Sequence, residues 1–187
     1  NTSAITAAVT PGTITANGDA AATTFNPFTT DINAVRGQET GYATWNPLDA
    51  EDSSKLTNGN LSTGSFSSNK GIRATFGVST GKYYWEWIEE NASPDNHHGI
   101  WGVNSEMGSG YVGSTADSWG IYVPNGNKRN NASYVSYGSA FSQGDIGMCA
   151  LDKTNGKIWW GKNGTWFASG NPTTGSNEAF SNVNTID

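Results

Sequence analysis

The stretch Gly144-Asp145-Ile146-Gly147-Met148-Cys149-Ala150-Leu151-Asp152-Lys153-Thr154-Asn155-Gly156-Lys157-Ile158-Trp159-Trp160-Gly161-Lys162-Asn163-Gly164 decides the fold. Residues 145–152 read as a strand. Lys153-Thr154-Asn155-Gly156 breaks it with turn formers. Residues 157–162 return as a second strand, and Asn163-Gly164 turns the chain again into Thr165-Trp166-Phe167. Asn-Gly supplies the two positive-φ residues of a type I′ hairpin turn. Gly144 and Asp145 suit the turn ahead of the first strand, where an Asp side chain caps nearby backbone.

The same texture extends upstream. Lys82-Tyr83-Tyr84-Trp85-Glu86-Trp87-Ile88-Glu89 alternates, with Tyr83, Trp85 and Trp87 on one face. Residues 71–78 alternate as well, with Ile72, Ala74, Phe76 and Val78 on one face. Further strands are expected at 45–48, 98–103, 118–123 and 134–137. An Asn58-Gly59 turn divides residues 55–62, and Pro124-Asn125-Gly126 closes the strand before it. Residues 91–98 and 108–117 read as polar loops. Short strands with turn signals at such intervals predict an antiparallel sandwich or barrel. No segment has a helical period.

Composition agrees. Aromatics make up 12% of the 187 residues and charged residues only 14%, so the chain is neither disordered nor a coiled coil. The net charge of −6 and the scattered Lys and Arg argue against nucleic acid, which needs clustered cations. No apolar run reaches membrane-spanning length. Cys149 is the only cysteine, so no intrachain disulfide forms, and its apolar surroundings mark a buried inert thiol. Residues 1–40 are small and uncharged, with too little apolar content for a core of their own. They read as an extended linker or small β-appendage ahead of a domain at 41–187.

These motifs resemble SPRY (B30.2-type) domains. Gly81-Lys82-Tyr83-Tyr84-Trp85-Glu86 is similar to that family's G-x-Y-Y-x-E strand. Gly99-Ile100-Trp101-Gly102 and Ser118-Trp119-Gly120-Ile121-Tyr122 resemble its Gly-rich and central aromatic strands. The 144–164 stretch is similar to its G-D-x-I-G-x-x-x-D … G-x-I-x-F-x-x-N-G hairpin, one residue shorter after the Asp. The resemblance implies an all-β, two-sheet antiparallel concanavalin-like sandwich whose aromatics fill the inter-sheet space. Val35-Arg36-Gly37-Gln38-Glu39-Thr40-Gly41-Tyr42-Ala43-Thr44-Trp45-Asn46-Pro47-Leu48 resembles the lead-in to SPRY-like modules of marine bacteriophage tail-fibre and structural proteins. That implies a virion (extracellular) setting, other virion proteins and copies of itself as partners, and a host surface glycan or protein as target. A ligand-free structural spacer and a cellular peptide-binding SPRY domain are the alternative readings. In such modules further strands follow the Gly170-Asn171-Pro172 region and complete the sandwich. Here the sequence stops at Asp187, so either those strands are missing from it or another chain or the N-terminal segment supplies them.

Catalysis is not expected. Glu86, Glu89 and Glu90 do not face one another as a glycosidase pair must, and no nucleophile elbow or phosphate loop is present. Adjacent in a strand, His97 and His98 would point to opposite faces, which disfavours chelation of one metal by both. Neither metal nor cofactor is expected. SPRY-type domains engage ligands through loops at one edge of the sandwich. The ligand-binding candidates there are Asn96, His97, Tyr111, Asp117, Asn130, Tyr134 and Tyr137, a polar and aromatic set suited to sugars or peptides. The alternative for each Tyr is that it plugs its own loop.

Overall fold

The computed structural model describes residues 43–66, 70–91, 95–102 and 111–183. They fall within one compact unit, Ala43–Asp187. The arm at residues 1–40 and most of the Val35–Leu48 lead-in lie outside the described residues, as does Val103.

Two four-stranded antiparallel sheets carry the core. One has the order β12 (Thr165–Trp166), β11 (Lys157–Lys162), β10 (Ile146–Asp152), β5 (Lys82–Ile88), and the other β6 (His97–Trp101), β7 (Ser118–Tyr122), β8 (Asn127–Asn130), β9 (Ser133–Val135). The deciding hairpin forms as its residues require. Strand β10 (Ile146–Asp152) pairs with β11 (Lys157–Lys162) from Gly147↔Lys162 to Asp152↔Lys157. Asn163 (φ 49°) and Gly164 (φ 81°) then turn β11 into β12 (Thr165–Trp166). Asp145 holds both ends of this unit. Its carboxylate accepts from the Ser142 N–H (2.8 Å) and from Asn163 Nδ2 (2.7 Å), and lies 3.3 Å from Lys162 Nζ. The Asn163 hydrogen bond comes first among the causes that hold its pKa below the usual carboxylate value.

Strand β5 (Lys82–Ile88) pairs along all seven residues with β10. Its Trp85 and Trp87 pack on the core, while Tyr83 on the same face is 40% exposed. The expectation that the aromatics all fill the inter-sheet space therefore fails at Tyr83, which lies over the Gly81 turn with its hydroxyl donating to Thr80 O (2.8 Å). On the facing sheet, β6 (His97–Trp101), β7 (Ser118–Tyr122), β8 (Asn127–Asn130) and β9 (Ser133–Val135) run in sequence order. Trp119, Ile121 and Val123 meet Cys149, Leu151, Ile158 and Trp160 between the sheets. Cys149 is buried and burial pushes its thiol pKa well up, consistent with an inert packing role.

Four strand readings need correction. Strand β1 (Trp45–Ala50) runs two residues beyond the expected 45–48. Strand β4 (Ile72–Ala74) stops three residues in, because Phe76 finds no core and stands 51% exposed. Between the turn at 124–126 and the strand expected at 134–137 lies an unexpected strand, Asn127–Asn130, and the hairpin turns at Asn131 (φ 48°) and Ala132 (φ 59°) into β9, which ends at Val135. The polar run Asn127-Lys128-Arg129-Asn130 hides this strand from a hydrophobicity pattern. His97 lies in β6 rather than in the preceding loop. The Leu56–Thr57 and Ser62–Thr63 strands (β2, β3) do flank the Asn58-Gly59 turn as expected.

After β12 the chain returns to the sandwich. Ile158 bridges Phe180, and Ala179 and Val183 enter the core. Lys128 Nζ donates to Ala179 O (2.6 Å) and Trp119 Nε1 to Asn182 Oδ1 (3.1 Å), so this segment ties the two sheets together. This chain thus supplies part of its own closure.

Candidate functional site

The outer face of the β6-β7-β8-β9 sheet is built by alternation. Trp119 and Ile121 point into the core, so Ser118, Gly120 and Tyr122 point out. The register places His97 opposite Tyr122, and Arg129 between Gly120 and Tyr134. Gly99 and Gly120 are also opposite one another. The missing side chain of Gly120 lets the 111–117 segment lie on the sheet, since a Cβ there would stand 2.9 Å from Val112 O. Asn130 staples this loop. Its Nδ2 reaches Ser118 O (2.8 Å), Ala116 O (3.0 Å) and Thr115 O (3.4 Å). The Ser118 hydroxyl adds a bond from Gly113 N (2.9 Å).

The fixed loop sets Tyr111 over the sheet. His97 is sandwiched between Tyr111 and Tyr122, with ring centroids 4.5 Å apart on both sides and interplanar angles of 28° and 25°. Its Nε2 lies 2.9 Å from the Tyr134 hydroxyl. Tyr122 donates to Asp95 Oδ1 (3.0 Å), which raises its pKa. The Arg129 guanidinium stands over two rings, 4.7 Å from the Tyr134 centroid and 5.5 Å from that of Tyr111. Arg129 is only 9% exposed, and neither its Nε nor its Nη1 finds a hydrogen-bond acceptor among the described residues. The Nδ1 of His97 is likewise buried without a partner.

Burial first, and then the charge of Arg129, push the His97 pKa down to about 3, with Asp95 acting the other way. In the unfolded chain it titrates near its ordinary value of about 6.5. Between these values the unfolded chain binds a proton that the folded chain does not, so stability rises with pH. The contribution is complete above about pH 6.5 and is lost as pH falls toward 3, at no more than about 1.4 kcal/mol per pH unit. His97→Gln is expected to flatten this acid limb in urea titrations at neutral and mildly acidic pH. An unchanged slope would show that the acid sensitivity arises elsewhere.

Of the sequence-derived candidates, the fold brings His97, Tyr111 and Tyr134 together. Asn96 lies just before β6, its Nδ2 3.4 Å from a carboxylate oxygen of Glu89. Asp117 sits in the turn before β7, where its carbonyl accepts from Gly102 N (2.7 Å). Asn130 is occupied by the loop it staples. Tyr137 faces inward, edge-on to Trp160 and Phe167. Tyr122 and Arg129 belong to this candidate site and were missed by sequence reasoning. The alternation of Trp119-Gly120-Ile121-Tyr122 was the available signal for Tyr122, and Arg129 has none without its strand register.

The other face of β6 has its own cluster. His98 stacks on Trp87 (4.3 Å) and lies 3.7 Å from the buried Glu89. The two adjacent histidines do diverge. Among the described residues, no group of three or more His, Cys, Asp or Glu side chains converges as a metal site would require.

No family model matches the chain. Among solved structures, the SPRY domain of human HERC1 is similar to it: 25% identical, with a TM-score of 0.50, covering 74% of this chain and 82% of that one. The fold is a SPRY-type sandwich. The likeness supports a generally protein-interacting module, and an interaction rather than a catalytic domain. A probable ATP-dependent RNA helicase, ddx1 of Dictyostelium discoideum, is 31% identical over 97 residues. That match takes in 52% of this chain but 12% of the helicase, so the chain spans a small part of that protein. The histidine–tyrosine–arginine cluster thus lies on the outer sheet face of a SPRY-type sandwich.

Proposed function

We propose that this chain is a non-catalytic binding module that engages a partner through the cluster of His97, Tyr111, Tyr122, Arg129 and Tyr134. One observation carries the reading: aromatic rings stack on an outer sheet face around the buried Arg129, whose Nε and Nη1 have no acceptor among the described residues. Rigid tyrosines and an arginine are the residue types that dominate binding energy at interfaces, because they bury much area at little entropic cost. The setting rests on the sequence. The lead-in at 35–48 resembles that of phage SPRY-like modules, and supports a virion protein, extracellular and self-associating, whose target is a host surface glycan or protein.

The test is adsorption of the full chain to host cells, comparing it with Tyr122→Ala and Tyr111→Ala. Each variant is expected to weaken adsorption at least tenfold while unfolding near the parent's urea midpoint. Adsorption unchanged in both variants would remove the site and favour a spacer role.

A further inference from the structure

We propose that Arg129 is the seat for a carboxylate of an extended acidic protein segment that adds to the β9 edge. This rests on the binding role proposed for the same face and names its ligand chemistry.

The first argument is charge. A guanidinium is nine-tenths buried here, with Nε and Nη1 unpaired among the described residues. A buried charge without a counterion is costly, and aromatic faces offset only part of that cost. An arriving carboxylate supplies the missing acceptor. Among the described residues, the charged groups that touch these rings are Arg129 and Asp95. One cation with a carboxylate nearby suits a singly charged ligand. A phosphate, with nearly two charges, needs a second cation.

The second argument is backbone geometry. Asn131-Ala132 form a two-residue turn, so Asn130↔Ser133 is the hydrogen-bonded closing pair. Alternation then makes Arg129↔Tyr134 a non-hydrogen-bonded pair, with the Tyr134 N–H and C=O directed away from β8. Among the described residues β9 pairs only with β8, and no strand covers its other edge. An extended peptide can bond to Tyr134 through its main chain and place an acidic side chain over Arg129. A sugar acid has no such backbone, which favours protein as the source. Entry requires the Tyr134 ring to swing aside. That ring is 43% exposed, and its hydroxyl is held by the contact to His97.

The experiment titrates the full chain with two capped tripeptides, acetyl-Val-Glu-Val-amide and acetyl-Val-Gln-Val-amide, and with methyl glucuronide. Nuclear magnetic resonance follows the Arg129 Nε–H and the Tyr134 amide. The Glu peptide is expected to shift both signals saturably and to bind at least tenfold more tightly than the Gln peptide. Arg129→Lys is expected to erase that preference while the rest of the spectrum stays in place. If that variant fails to fold, the comparison of the two peptides on the parent chain decides. Equal binding of both peptides at Tyr134 would overturn the carboxylate seat yet leave the binding face standing. Glucuronide binding more tightly than the Glu peptide would overturn the assignment to protein. No shift from any of the three would overturn the seat, and adsorption that still depends on Tyr122 would then keep the face itself.

Discussion

Trp160→Ala is expected to lower folding stability by about 3–5 kcal/mol, the range for truncating a fully buried aromatic ring. Trp160 is fully buried on β11, opposite Cys149 on β10, and points between the sheets. Its ring meets Tyr137 edge-on at 6.4 Å and Phe180 at 6.2 Å. Truncation leaves a cavity bounded by two paired strands on one side and by the facing sheet on the other, and neither can collapse without breaking its ladder. Against a typical total of about 5–15 kcal/mol, such a loss leaves a domain close to unfolding. Trp160→Phe separates cavity from shape. It keeps most of the apolar volume and removes an indole N–H that has no acceptor among the described residues, so a loss below about 1.5 kcal/mol is expected. Urea unfolding of the two variants checks this. Equal losses would mean that the site collapses around the missing ring.

Gly99→Ala is expected to cost about 3 kcal/mol or more, at the upper end of overpacking, and to dismantle the binding face as well. A Cβ there would stand 2.0 Å from Trp119 O and 2.7 Å from Gly120 Cα. Both obstacles are backbone, so no rotamer change relieves the clash. Strands β6 and β7 must part at the Gly99↔Gly120 pair. His97 and Tyr122, opposite one another two residues along, then lose their register and their stack. Gly77→Ala is the control, because nothing lies within 4 Å of its Cβ position, and a change within about 0.5 kcal/mol is expected. Thermal unfolding reports the stability, and tyrosine and histidine ring resonances report the stack. An intact stack in a destabilised Gly99→Ala would show that the face does not depend on this close approach.

These two sites differ in how far they can be read from residues alone. Two adjacent tryptophans in a short run between turn formers already mark 157–162 as a strand with a buried face. Nothing local says that Gly99 faces Gly120, because that pairing joins positions about twenty residues apart along the chain. The same distinction runs through the candidate site. Tyr111 and Tyr134 are visible as aromatics in polar surroundings. Tyr137 has the same local texture, yet it turns inward against Trp160 and Phe167. Asn130 looks like a free loop amide until three carbonyls of residues 115–118 are found around it.

While the choice of sandwich over barrel came from the resemblance its motifs carry, the sequence by itself determined the all-β strand pattern, the β10-β11-β12 meander and its turns. These depend on period-two alternation and on positive-φ residues, which are properties of neighbours along the chain. Only the tertiary structure decided that a polar run becomes strand β8, and that His97, Tyr122, Arg129 and Tyr134 share one outer face. The physical reason is that register between strands assembles this site. Register is set by the packing of the opposite, buried face: Trp119 and Ile121 point inward, and that leaves Tyr122 to point out.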